Sequence, residues 1–119
     1  MKYLLLVYVN EQEWENLSPA ERKRLMDNGG QYSAELKAAK KYISGSQLQP
    51  VSTATCVRKG SDGKVLITDG PFAETREQLG GYALVEAKDL EEAIAMAKRF
   101  HGGGPATIEV RPQVLGGDA

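Results

Sequence analysis

A chain of 119 residues with a formal charge of −1 is long enough for one hydrophobic core and too short for two. Its acidic and basic residues are interspersed, so it lacks the basic field that would hold a phosphate backbone, and no nucleic-acid partner is expected. Its single cysteine, Cys56, cannot form an internal disulfide. No stretch has the make-up of a secretion signal or the length to cross a bilayer, so a soluble cytoplasmic protein with no membrane association is expected.

Tyr3 to Val9 is an unbroken apolar run of strand length, which predicts a strand covered on both faces or nearly so. Asn10 to Asn16 is polar and acidic and reads as a loop. Its one large apolar residue, Trp14, is costly to leave in water, which favours packing over a core edge against stacking on a ligand. Ser18-Pro19-Ala20-Glu21 opens a helix: Ser18 can cap, Pro19 suits the first turn, and Glu21 can complete a capping box. Leu25, Gly29, Tyr32, Leu36 and Ala39 then recur every three or four residues and form one apolar stripe. Gly29 and Gly30 each cost roughly 1 kcal/mol relative to alanine in a helix interior. One helix through Lys41 is expected, a kink near the glycines being the alternative.

Tyr42 to Gly45 predicts a short strand and Ser46 to Pro50 a polar connection. Thr53 to Arg58 and Lys64 to Thr68 are β-prone and flank an Asp62-Gly63 pair, the signal of a hairpin turn. Thr68 to Tyr82 is a polar loop between two apolar runs, and loops tied to strands at both ends often carry function. Gly81 to Ala87 predicts a strand, with Tyr82, Leu84 and Glu86 on one face and Ala83, Val85 and Ala87 on the other. Asp89 to Glu92 repeats the capping pattern for a second helix, with Ala93, Ile94, Ala97 and Phe100 as its buried stripe and Gly102-Gly103-Gly104-Pro105 as its end. Ala106 to Arg111 predicts a last strand. One domain over residues 1–112 is expected, followed by a flexible tail over 113–119 in which Val114 and Leu115 could touch another subunit.

The order, β-α-β-β-α-β with an added short strand, is an α+β ground plan of the ferredoxin-like kind. Two helices cover one sheet face. Leu5, Ile67, Leu84 and their neighbours would leave the other too apolar for water, which predicts a homodimer packed sheet to sheet.

Asp69-Gly70-Pro71-Phe72, with Ala73 to Tyr82 after it, closely resembles the signature of the DGPF proteins, a branch of the YCII-related family. The similarity runs through Met1-Lys2-Tyr3, Leu17-Ser18-Pro19, Leu48-Gln49-Pro50 and Glu109-Val110-Arg111-Pro112. It implies a dimeric α+β barrel with a cleft, in bacterial cytosolic proteins whose activity is mostly unassigned. It also implies a setting near extracytoplasmic-function sigma factors, and so a sigma factor as a candidate partner. Some members of the wider group are proposed to use a His and Asp pair with the histidine on the first helix. The segment Ser18 to Lys41 has no histidine, so that chemistry does not transfer.

Asp69 could serve as a general acid or base, or could hydrogen-bond its own turn amides. Gly70 and Pro71 would shape the loop and Phe72 would anchor it in the core. Glu74, Arg76 and Glu77 could hold a polar ligand, the Arg76 fork suiting a carboxylate or phosphate, or could form solvated ion pairs. Gly80-Gly81 would let a neighbouring strand, or a ligand, come close. Tyr8 and Tyr82 could extend hydroxyls into a cleft, although strand tyrosines more often pack in a core or interface. His101 would sit at the second helix's C-terminus, its charged form favoured by the helix dipole, and Cys56 would be a small buried hydrophobe.

One histidine and one cysteine far apart leave no metal-ligand spacing, and no metal, haem or nucleotide cofactor is indicated. Three functions stay open. The first is a homodimer binding a small polar molecule beside the Asp69–Tyr82 loop. The second is a cofactorless enzyme using Asp69, and the third an accessory partner of a sigma factor.

Overall fold

The computed structural model describes residues 1–116. Strand β1 (Lys2–Val9) buries Tyr3, Leu5 and Val7, while Leu4, Leu6 and Tyr8 between them are half-buried. The unbroken apolar run is therefore fully covered on one face only. β1 pairs antiparallel with β5 (Gln78–Glu86) on one side and β6 (Thr107–Pro112) on the other, and β2 (Tyr42–Gln47) adds to β5. The resulting four-stranded sheet has the order β2-β5-β1-β6. Direct pairing of Leu5 with Ala83 and Tyr3 with Val85 gathers the buried side chains on one face. Helices α2 (Pro19–Ala38) and α3 (Leu90–Arg99) lie over it. The core joins Tyr32 and Leu36 of α2 and Ala93 and Met96 of α3 to Tyr3, Leu5, Ala83 and Val85 of the sheet.

The same start signal opens three helices. Asn10, Ser18 and Asp89 each accept a hydrogen bond from the backbone N–H three residues on, of Glu13, Glu21 and Glu92, at 3.1, 3.1 and 2.9 Å. The first of these overturns the loop expected at 10–16. Glu11–Asn16 is a helix, α1, with Glu11 and Glu13 in its first turn complementing the helix dipole. Such a short helix does not stand alone in water, and Arg22 of α2 supports its far end, donating to the carbonyls of Glu15 and Leu17 at 2.9 and 2.8 Å and of Trp14 at 3.4 Å.

α2 is one continuous helix through Gly29 and Gly30 and buries Leu25, Tyr32 and Leu36 as the stripe predicted. On α3 the buried residues are Ala93 and Met96, whereas Ile94 is 40% exposed. The stripe is rotated from the expected one because the sheet contacts its 93/96 edge.

β3 (Thr55–Lys59) and β4 (Val65–Asp69) form the predicted hairpin, in a separate two-stranded sheet. Ile67 is therefore not part of a sheet face with Leu5 and Leu84, and Leu5 itself lies fully buried beneath the helices. The cross-strand partners Val57 and Ile67, with Val65 two residues on, are 58%, 65% and 56% exposed. Phe72, expected as a core anchor, is 80% exposed at the arm's base. The arm stretches the molecule to a radius of gyration of 16.1 Å, against about 13.5 Å for a compact chain of this length.

After β6 the N–H of Gln113 donates to the Lys2 carbonyl at 2.9 Å, tying the start of the expected tail to the sheet. Val114 and Leu115 are exposed, and the remainder of that tail, 117–119, lies outside the described residues.

Candidate functional site

Beyond Arg99 the chain leaves α3 abruptly, and the glycines that follow explain how. Gly102 has φ +63, and a Cβ built there would collide with the Leu25 carbonyl oxygen of α2 and lie 2.8 Å from its carbonyl carbon. Only glycine lets the turn sit flush on α2 at this point. Gly29, one turn along α2, is equally bare where the Gly102 backbone crosses it, its ideal Cβ 3.5 Å from Gly102 N. Two positions that weaken helices in isolation thus form the seat of this turn.

The seated turn holds His101 at φ 59, ψ 30, a left-handed conformation uncommon outside glycine. His101 is not the charged helix cap expected from the sequence. Its ring lies half-buried against Trp14 of α1, with centroids 5.3 Å apart and planes inclined by 54°. Burial lowers its pKa below the usual histidine range, which favours neutral imidazole.

Trp14 and His101 form part of the wall of a cleft of about 470 Å³ between the helical layer and the β2–β5 side of the sheet. Leu25, Met26 and Phe100 line it from the helices and the turn, Val7 and Val9 from β1, and Leu48 and Pro50 from the connection after β2. Tyr42, Ser46, Gln47, Glu11 and Glu15 add the polar groups. Gly80 and Gly81 also line the cleft, for a local reason. The β1–β5 register slips between Val7, opposite Gly81, and Tyr8, opposite Leu79, leaving Gly80 as the extra residue of a bulge. A Cβ on Gly81 would lie 3.0 Å from the Ser46 carbonyl oxygen, so the bare backbone admits β2 and leaves that stretch of the wall without a side chain.

Of the site residues singled out from the sequence, Tyr82 borders this cleft by its backbone; paired with Leu6, its side chain points to the sheet face away from the helices, so the hydroxyl expected in a cleft is not there. Asp69 is the exposed last residue of β4, opposite Thr55 on the hairpin. Gly70 has φ +88, donates its N–H to the Ala54 carbonyl at 2.7 Å and accepts from the Cys56 thiol at 3.2 Å, so Cys56 is a half-buried clasp of the hairpin base. Pro71 is half-buried there, and Glu74 and Arg76 are exposed on the loop beyond. Glu77 accepts from the Thr107 hydroxyl at 2.9 Å. Tyr8 lies on the sheet face away from the helices and donates to Glu109 at 3.3 Å; partial burial, then the neighbouring carboxylate, raises its pKa above the usual phenol range. The Asp69–Arg76 group and the cleft are thus separate, and what links them is Gln78, which donates to Thr75 O at 2.6 Å and accepts from Glu11 N–H at 3.1 Å.

Among the described residues no three of His, Cys, Asp and Glu come together as metal ligands, and no helix is long and apolar enough to cross a membrane. The side chains in the cleft offer hydrogen bonds, ring contacts and one imidazole.

The architecture is that of an α+β domain with helices on one face of an antiparallel sheet and a cleft opening between the two layers. Residues 1–113 match the family model of the YCII-related domain, and the chain belongs to that family. It is also similar, at 35% identity over 97% of this chain and 94% of the relative, to an uncharacterized protein of Rhizobium meliloti (strain 1021).

Proposed function

We propose that this protein binds a small molecule in the cleft beside Trp14 and His101, and that it does so as a homodimer of the DGPF branch. The observation that carries the binding reading is the cleft itself: about 470 Å³, walled by aromatic and aliphatic side chains with a few polar groups among them. That size and make-up are usual for ligand sites. The lining calls for a ligand with an apolar body and few polar anchors, in place of the uniformly polar molecule that the charges of the Asp69–Tyr82 loop suggest. The order β2-β5-β1-β6 under two helices supports a ferredoxin-like plan with the β3–β4 hairpin inserted, and Asp69-Gly70-Pro71-Phe72 supports the DGPF assignment.

The dimer reading rests on the hairpin arm. A two-stranded hairpin is marginal in water, and this one exposes Val57, Val65 and Ile67 along one face. A second copy brings an identical arm and an identical half-open sheet face carrying Leu4 and Leu6, which lets one symmetric contact cover both.

The binding reading is tested by a thermal-shift screen of fragment-sized compounds. Gly30 lines the cleft and has nothing within 4 Å of an ideal Cβ, so Gly30→Phe should fill the site without unfolding α2 and abolish the shifts. Asp69→Ala and Arg76→Ala should leave them intact. The opposite pattern would move the site to the loop.

A further inference from the structure

The cleft has a charge of one sign. Glu11 and Glu15, four residues apart and so on one face of α1, both line it, and no lysine or arginine does. Glu11 accepts from the Val51 N–H at 3.1 Å through one carboxylate oxygen, and among the described residues no hydrogen bond or ion pair engages its other oxygen or the carboxylate of Glu15. Arg22, which supports α1, is not among the lining residues and donates through one guanidinium nitrogen, Nη1, to the Trp14, Glu15 and Leu17 carbonyls. His101 does not restore the balance, because burial favours its neutral form. The remaining polar atoms, on Ser46, Gln47 and Tyr42, are uncharged. Around them stand the rings of Trp14, Phe100 and Tyr42, whose faces attract cations and whose area favours an apolar body.

Building on the binding reading above, we propose that the ligand class is an organic cation: a small amine or amidine on an aromatic or branched aliphatic body, its charge toward Glu11 and Glu15 and its body among the rings. A carboxylate or phosphate of the same shape meets two like charges and no compensating cation, and is rejected.

Trp14 is the only tryptophan in the chain and lines the cleft, so its fluorescence reports occupancy directly. The test compares 4-phenylbutylamine, 4-phenylbutanol and 4-phenylbutyrate, equal in body and different in charge, by Trp14 emission and thermal shift at low ionic strength and neutral pH. The amine should bind about tenfold more tightly than the butyrate, with the alcohol between, a ratio equal to one 1.4 kcal/mol step. Glu11→Gln with Glu15→Gln should remove most of the amine's advantage and leave the alcohol unchanged; Glu15→Gln alone, at an exposed position, serves if the double variant does not fold. Butyrate binding as tightly as the amine, or an amine affinity untouched by the variants, overturns the charge assignment while ligand binding in the cleft stands. If none of the three moves Trp14 emission or the melting temperature at millimolar concentration, the cleft reading falls and this one with it.

Discussion

Gly102→Ala tests the seat of the His101 turn directly. Two costs add. Alanine in the left-handed region costs about 1 kcal/mol. The new methyl also lands 2.8 Å from the Leu25 carbonyl carbon and 3.0 Å from its Cα, both backbone atoms of a buried helix turn that cannot step aside cheaply, and overpacking of this kind costs about 1–3 kcal/mol. The sum is about 3 kcal/mol. Unfolding entropy of about 2.1 cal/mol/K per residue over 119 residues gives roughly 0.25 kcal/mol per degree, so the melting temperature should fall by about 12 °C. Gly103 supplies the control. It too has positive φ, +79, but nothing lies within 4 Å of its ideal Cβ, so Gly103→Ala carries the conformational cost alone, about 1 kcal/mol or about 4 °C. The assay is reversible urea unfolding with thermal melts of both variants, read by Trp14 emission and by circular dichroism. Equal losses in the two variants would refute the claim that this turn is moulded onto Leu25.

Four further outcomes follow. Stability should rise with pH through the histidine range: the folded pKa of His101 lies below its unfolded value, so the unfolded chain binds the extra proton between the two, and stability is lost as pH falls from about 6.5. His101→Gln should flatten that part of the profile. Arg22→Leu should free the end of α1, costing about 1–2 kcal/mol and shifting Trp14 emission to the red. Gly30→Ala should stabilise by about 0.5–1 kcal/mol, since the position is helical and open, as measured by urea midpoints. Ile67→Glu should turn a dimer into a monomer in light scattering at micromolar concentration; a wild-type chain that is already monomeric there removes the arm-to-partner reading.

Local grammar accounted for much of this molecule. The caps at Ser18 and Asp89, the alternation of Ala83, Val85 and Ala87, and the Asp62-Gly63 turn are interactions among residues close in sequence, and each led to the element later observed. Asn10-Glu11-Gln12-Glu13 carries the same cap, but its polar, acidic make-up reads as a loop; six residues hold a helix here because Arg22 supports them from another element. The charges of the Asp69–Arg76 loop point away from the cleft for a related reason. Polar residues announce themselves in a sequence, whereas a hollow is made of residues that look like ordinary core.

What the sequence by itself determined was the set of helices and strands whose ends are written in neighbouring residues, and the α+β class that their order allows. Tertiary structure alone decided that the hairpin stands apart from the sheet, that Gly29 and Gly102 meet, and that Trp14, eighty-seven positions from His101 by way of two layers, shares a wall with it. The physical reason is that caps and turns are satisfied within a few residues of chain, while a cavity exists only where surfaces distant in sequence fail to close on each other.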